Sequence, residues 1–353
     1  MKLRLLLLTV LLMLMSSMLV INAQSEDPET PVFTLESQVA TMPRRNFQFT
    51  DPGAVIYHEN TFYMLSNSFN GWPARSSVYL STSTDGFEFE RYDNQPVFTV
   101  DDVPYDGFTA LPTSVVVTED GTWILYFYIP ENGTNSAMTA IGLATAPEPQ
   151  GPWTVHESLV IEPGDENAWD SHTVTHPNVV TLDDGYRMYY SGSDNLTNRI
   201  GMAFSEDGIT WEKYDDPETT DAAFAQSDPV IAELGDPDGD SINDEVWQPN
   251  VVRNDDGWVM AFKSGSAFLN NLDSMNLATS EDGITWDIAY GQIIATRRDI
   301  QGGRNLWFTN MVQAEDTYYF YHEVGTFDDS VGLATQVYLS TFTGDLISTL
   351  SEG

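Results

Sequence analysis

The 353 residues contain no cysteine, so disulfides, and a lipid anchor carried by a cysteine, are closed to this chain. Basic residues are scarce too: 14 Lys and Arg stand against 53 Asp and Glu, for a net charge of −39. A surface of that sign repels nucleic acid and anionic lipid, which removes both as partners. It suits a neutral substrate, a cation-rich medium or bound calcium. No stretch keeps a helical period for long, no glycine-rich nucleotide loop is found, and the five histidines show no zinc spacing.

What is present starts with a leader. Lys2 and Arg4 precede an almost wholly apolar run from Leu5 to Leu14, and Ile21-Asn22-Ala23 resembles a small-residue cleavage site. Residues 1–23 therefore read as a secretory signal peptide. A retained membrane anchor competes, because Met1 to Ile21 nearly spans a bilayer; the early charges and Ala23 favour removal. The expected product is a secreted or periplasmic monomer with no membrane segment left and a net charge of −41 once Lys2 and Arg4 are gone. Residues 24–30 are polar and contain proline, the composition of a disordered spacer. Residues 31–353 are expected to form one domain, large enough to bury a core without disulfides.

One turn recurs along that domain. Ser83-Thr84-Asp85-Gly86-Phe87-Glu88-Phe89, Ser205-Glu206-Asp207-Gly208-Ile209-Thr210-Trp211 and Ser280-Glu281-Asp282-Gly283-Ile284-Thr285-Trp286 are full copies. Gly151-Pro152-Trp153 is a weaker copy, and Ser340-Thr341-Phe342-Thr343-Gly344 a degenerate one. Ahead of each turn lie apolar and aromatic strand-like runs with acid-Gly hairpins at Asp120-Gly121, Asp184-Gly185 and Asp256-Gly257. Five copies of one strand-rich unit predict an all-β, five-bladed β-propeller. The fifth unit lacks an outer strand. Pro31-Val32-Phe33-Thr34 repeats Pro96-Val97-Phe98-Thr99 of the first unit, so a strand near residues 31–34 is expected to close the ring and hide an edge.

In such a ring, the loops between outer and next inner strands, and between second and third strands, converge on one mouth of the central funnel. They bring Asp51, Asp106, Asp170, Asp244, Glu245 and Arg304, and also Asn70, Trp72, Arg75, Glu131, Asp194, Asn195, Asn270, His322 and Glu323, towards that mouth. Trp169, Trp247 and Trp307 lie in the same region. Rings and carboxylates together fit carbohydrate, whose flat faces stack and whose hydroxyls bond, and glycoside cleavage needs two carboxylates. A separate acidic run, Asp236-Pro237-Asp238-Gly239-Asp240-Ser241-Ile242-Asn243-Asp244-Glu245, has acids at alternate positions and a carbonyl at Ile242. That pattern fits structural Ca2+, with Asp236, Asp238, Asp240, Ile242 and Asp244 as ligands; a solvated acidic loop is the competing reading.

Thr50-Asp51-Pro52-Gly53-Ala54-Val55-Ile56-Tyr57, followed by Phe62-Tyr63-Met64, resembles the first-blade signature of the five-bladed glycoside hydrolases of the arabinanase, xylosidase, levansucrase and invertase type. The Gly151-Pro152-Trp153 turn resembles that superfamily as well. The resemblance implies a glycosidase in which Asp51 is the general base or nucleophile. Its second aspartate would open blade three, where His176 stands and Asp170 is nearest. Its glutamate acid would lie two residues before the blade-four proline, where Trp247 stands and Glu245 lies two residues earlier. The resemblance thus names Asp51, Asp170 and Glu245 as the catalytic set, with His172 or His176 as a substitute acid. Trp72, Asp106, Trp169, His172, His176, Trp247, Arg304, Trp307 and His322 would contact substrate.

The expected function is a secreted glycoside hydrolase, inverting rather than retaining, with a non-catalytic carbohydrate-binding propeller as the alternative. A sialidase would need three arginines, and only Arg75 and Arg304 are available at the funnel. A glycan phosphorylase also uses this fold but would need a basic phosphate pocket, which this chain is not expected to offer.

Overall fold

The computed structural model describes residues 32–39, 48–71, 75–104, 109–130, 139–234, 245–266, 271–289, 303–328 and 332–351. The leader, the spacer, Trp72, Asp106, Glu131, Asn270 and the calcium-type residues Asp236 to Asp244 lie outside the described residues. So do the side chains of Arg304 and Trp307, whose backbones are in a strand.

The repeated sequence unit folds as a repeated antiparallel sheet. Blade one holds β2 (Gln48–Thr50), β3 (Ala54–His58), β4 (Thr61–Asn70), β5 (Ser77–Ser83), β6 (Glu90–Arg91) and β7 (Phe98–Thr99), after an N-terminal β1 (Thr34–Val39). Blade two holds β8 (Leu111–Val117), β9 (Trp123–Pro130), β10 (Thr139–Ala146) and β11 (Thr154–Val155). Blade three holds β12 (Thr173–Leu182), β13 (Gly185–Ser193), β14 (Asn198–Ser205), β15 (Glu212–Lys213) and β16 (Pro229–Ile231). Blade four holds β17 (Glu245–Asn254), β18 (Gly257–Ser266), β19 (Asn271–Ser280) and β20 (Asp287–Ala289), and blade five β21 (Gly303–Ala314), β22 (Thr317–Asp328) and β23 (Gly332–Thr343). A short helix, Leu346–Ser351, follows and buries Leu346 and Leu350 against the seam between blades four and five. No helix among the described residues is long and apolar enough to cross a membrane.

The apolar residues sort into five clusters, each filling one seam between blades. Trp123, Leu125 and Phe127 pack with Leu65 and Leu80 between blades one and two. Tyr321, Val337 and Leu339 pack with Val55 and Met64 between blades five and one, which closes the ring. Five seams for five blades leave no open face, so the fold is a five-bladed β-propeller, as the repeats predict.

The recurring turn has a physical task. In each full copy the serine hydroxyl accepts from the glycine N–H, and the aspartate accepts from the two N–H groups after the glycine. Those bonds hold the Asp85, Asp207 and Asp282 carboxyls below the usual range. The glycines sit at φ 78°, 74° and 72°, where a side chain is strained. Each glycine carbonyl then accepts from a tyrosine in the preceding blade: Tyr321 to Gly86 at 2.8 Å, Tyr126 to Gly208 and Tyr189 to Gly283 at 2.7 Å. The aromatic ending each turn, Phe89, Trp211 or Trp286, meets the same tyrosine edge-on. Blades one and four carry Leu65 and Ala261 at the tyrosine position. They face the weak turn of blade two and the degenerate turn of blade five, so the turn decays where its tyrosine partner is missing.

β1 completes blade five by pairing antiparallel with β23, Thr34 opposite Thr341 and Val39 opposite Val337. The closing strand thus begins where the expected 31–34 segment ends. Phe33 is spent as a core plug, 2 % exposed, against Phe320 and Phe342. Phe33→Ala is expected to cost about 3–5 kcal/mol of unfolding free energy, measured by denaturant titration of the full chain.

Candidate active site

The inner strands are bulged where they leave the axis mouth. Register shifts fall between Thr175 and Asn178 in β12 and between Trp247 and Asn250 in β17. His176 and Gln248 sit there at φ 52°, and Pro177 and Pro249 follow, proline being tolerated where the ladder is broken. Blade one reaches the same shape with Gly53 at φ 59°, where a Cβ would collide with the Leu65 carbonyl. These bulges turn Asp51, His176 and Gln248 away from the blade seams.

The second strands supply the rest. Counting two residues beyond Leu65, Tyr126, Tyr189, Ala261 and Tyr321, which occupy one register position, gives Asn67, Tyr128, Ser191, Lys263 and Glu323. All five are buried. Each blade therefore contributes one polar residue to a ring around the axis.

Asp51 and Glu323 are both 0 % exposed. Asp51 Oδ1 accepts from Gly53 N at 2.7 Å and from Asn67 Nδ2 at 2.8 Å, while Oδ2 is buried without a partner. One oxygen is anchored and the other has no protein donor. Burial pushes Asp51 up to about 7, against the lowering effect of the Asn67 and Gly53 bonds. Glu323 Oε2 accepts weakly from Phe308 N at 3.4 Å, and Oε1 has no partner. Burial, then the charge of Asp51, pushes Glu323 well above the usual carboxylate range, with Thr335, Phe308 and Lys263 opposing. Tyr128 is raised well above its usual value by burial and by the charges of Asp51 and Glu323, which places all three groups within electrostatic reach.

His176 continues the ring. It lies between the rings of Tyr128 and Phe308, centroids 4.7 and 5.4 Å away. Its Nδ1 is 2.8 Å from Thr175 Oγ1 and its Nε2 is 3.1 Å from Gln248 Nε2. Burial and the charge of Lys263 push its pKa down to about 3. With its proton on Nδ1 the neutral ring donates to Thr175 and accepts from the Gln248 amide at Nε2; with the proton on Nε2 both bonds reverse, since the Thr175 hydroxyl can donate and the amide can turn. Lys263 lies opposite Trp247 in register, its ammonium 5.9 Å from the indole centre.

The expected site residues divide accordingly. Asp51, His176 and Trp247 are brought to this floor. Asp170 is not: its Oδ2 is ion-paired with Lys213 at 2.6 Å and accepts from Tyr190 at 3.2 Å, while its Oδ1 is buried without a partner. Trp169, expected to stack on sugar, is a core residue at 1 % exposure, parallel to Tyr190 and bonded to Ser227. Glu245 accepts from the backbone and side chain of Asn198, joining blade four to blade three. His322 is fully buried and turned outward onto Ser340, Phe320 and Tyr338. His172 is tied through its backbone to Ser193. Arg75 pairs with Asp101 at the surface.

The other mouth of the axis holds a cavity of about 530 Å³, lined by Tyr57, Asn178, Arg253, Asn310 and Glu315 among others. Its asparagines are already used, Asn178 by Val251 N and Asn310 by the Gly53 and Thr113 carbonyls. The unpartnered oxygens of Asp51 and Glu323 lie at the opposite end.

Comparison with known proteins adds a family. Residues 107–310 match the family model Glyco_hydro_130, described as beta-1,4-mannooligosaccharide phosphorylase. Among solved structures, the complex of BT0996 with RGII aligns with a TM-score of 0.66 at 15 % identity, covering 89 % of this protein and 94 % of that one. A structure reported under the heading that family 130 mannoside phosphorylases include glycoside hydrolases targeting beta-1,2 mannosidic linkages in Candida mannan aligns at TM-score 0.58 and 16 % identity, covering 88 % and 94 %. A thermostable family-43 glycoside hydrolase aligns at 0.58 and 12 %, covering 84 % and 90 %. At these identities the likeness shows the fold alone. No curated protein matches the sequence.

Proposed function

Since the chain belongs to glycoside hydrolase family 130, the family described as beta-1,4-mannooligosaccharide phosphorylase, we propose that it hydrolyses a mannoside with Asp51 and Glu323 as its carboxylate pair. The observation that carries this reading is two buried carboxyls, coupled by charge, each with one oxygen free of protein partners. Environments that separate two carboxyls in proton affinity divide them into acid and base. Glu323 keeps its proton on the free oxygen and gives it to the glycosidic oxygen as the carbon–oxygen bond breaks. Asp51 Oδ2 takes a proton from the water whose oxygen bonds to the anomeric carbon. An inverted first product makes Asp51 the base; a retained one makes it the nucleophile. The leader with Lys2, Arg4 and the run from Leu5 to Leu14 supports action outside the cytoplasm.

Phosphorolysis is the second reading, favoured by the family's description and by Lys263, a buried cation beside Glu323 and His176. Product analysis with and without inorganic phosphate separates the two. Hydrolysis gives free sugar at a phosphate-independent rate; a sugar 1-phosphate formed only when phosphate is added reverses the assignment.

Asn67 positions Asp51. Asn67→Ala removes a bond that lowers Asp51's pKa, so the acid limb of the kcat–pH profile should move to higher pH. An unmoved limb with an intact melting temperature would place Asn67 outside the reaction.

A further inference from the structure

Resting on the hydrolytic reading, we infer that this floor holds its sugar ring through hydroxyl groups acting as hydrogen-bond donors, and so takes a neutral sugar and refuses an acidic one. The inference comes from which atoms are unsatisfied. Among Asp51, Asn67, Tyr128, His176, Gln248, Lys263 and Glu323, the buried side-chain atoms without a hydrogen-bond partner are Asp51 Oδ2, Asn67 Oδ1, Gln248 Oε1 and Glu323 Oε1. All four are oxygens. Glu323 Oε1 carries the proton for the leaving group and Asp51 Oδ2 takes one from water, which leaves the two amide oxygens as acceptors for the sugar.

The two amide nitrogens are engaged within the protein, which leaves their oxygens facing the floor as acceptors. Asn67 Nδ2 donates to Asp51 Oδ1 at 2.8 Å and to the Pro112 carbonyl at 3.0 Å, neither of which can donate back. Gln248 Nε2 faces Nε2 of a neutral His176, whose Nδ1 is committed to Thr175. Rotating the Asn67 amide would lose both of its bonds, and rotating the Gln248 amide requires the His176 proton to sit on Nε2 with Thr175 Oγ1 donating to Nδ1. An acceptor left buried and unpaired costs about 1–3 kcal/mol, so the fitting ligand is one that arrives with O–H donors on several carbons. A pyranose with free hydroxyls has them. A uronic acid instead brings a carboxylate beside Asp51 and Glu323, where the nearby cation, Lys263, already acts on Glu323. The net charge of −39 adds repulsion at longer range.

Deoxyfluoro sugars test this polarity, because fluorine keeps the size and weak acceptor character of a hydroxyl and cannot donate. Mannose, its 2-, 3-, 4- and 6-deoxyfluoro analogues, the matching deoxy sugars and mannuronate are titrated calorimetrically against the full chain at pH 8. The expected result is binding of mannose, a loss of about tenfold or more (about 1.4 kcal/mol) for two or more fluoro positions, an equal loss for the matching deoxy sugars, and at least that loss for mannuronate. Gln248→Met, which removes one acceptor at similar size, should weaken mannose by about tenfold and level one of those positional differences. Fluoro sugars that bind like mannose, mannuronate that binds as well as mannose, or no mannose binding at all each overturn the inference. Cleavage is scored separately on mannooligosaccharides. Loss of cleavage with this binding pattern intact would sink the hydrolytic reading and leave the donor-selective floor standing.

Discussion

Asp51→Asn is expected to lower kcat by about 10³-fold, within the 10²–10⁴-fold that acid–base groups contribute, while KM changes only a few-fold. The amide is isosteric, and its oxygen can still accept from Gly53 N and Asn67 Nδ2, so the anchor survives and only the proton acceptor is lost. The same substitution should make the protein more stable. Burial holds Asp51 at about 7 in the folded chain, whereas an unfolded aspartate titrates near ~3.9. Between those values the folded state keeps a proton that the unfolded state has lost, so stability falls as pH rises from about 4 to about 7 and stays low above it. The amide variant escapes that decline. Its advantage should be absent near pH 3 and full at pH 8, as a rise of a few degrees in melting temperature measured at both values. A variant that loses activity and stability together at pH 8 would mean that Asp51 braces the fold.

Glu323→Gln is expected to lose about 10²–10⁴-fold on natural oligosaccharides, and much less on an aryl glycoside whose leaving group needs no proton. The pH profile carries the sign. The working form has Asp51 ionised and Glu323 protonated, so wild-type activity should rise through about 7 and fall again at higher pH as Glu323 ionises. Both apparent values belong to the pair rather than to single residues. The variant should keep the acid limb and lose the alkaline one. Equal losses on both substrate types would remove the acid role from Glu323.

The architecture was legible because the recurring turn is a local motif with a strict geometry. Even its weak copies carried information, since Gly151-Pro152-Trp153 and Ser340 to Gly344 face Leu65 and Ala261 in place of tyrosine. The closing strand was displaced towards Thr34–Val39 because the four-residue match marked where Phe33 packs, not where pairing begins. Within the site, Asp51 stood beside a proline and glycine that announce the bulge. Glu323 was visible as a funnel residue but not as half of a pair, since its role depends on which second-strand position faces the axis. Aligning the second strands would have exposed it, because Asn67, Tyr128, Ser191, Lys263 and Glu323 fall at one polar position. The surroundings of Asp170 and Trp169 were hidden for the opposite reason. Lys213, distant in sequence, pairs with Asp170, and Gly192 and Gly201 make room for the indole; neither fact is local.

The most direct measurement is turnover of a mannooligosaccharide panel by the wild-type chain, Asp51→Asn and Glu323→Gln, with binding of mannose followed on the same three proteins. The account predicts cleavage by the wild type, its loss in both variants, and mannose still bound by the folded variants. Undiminished turnover in either variant would contradict the assignment of these two carboxylates.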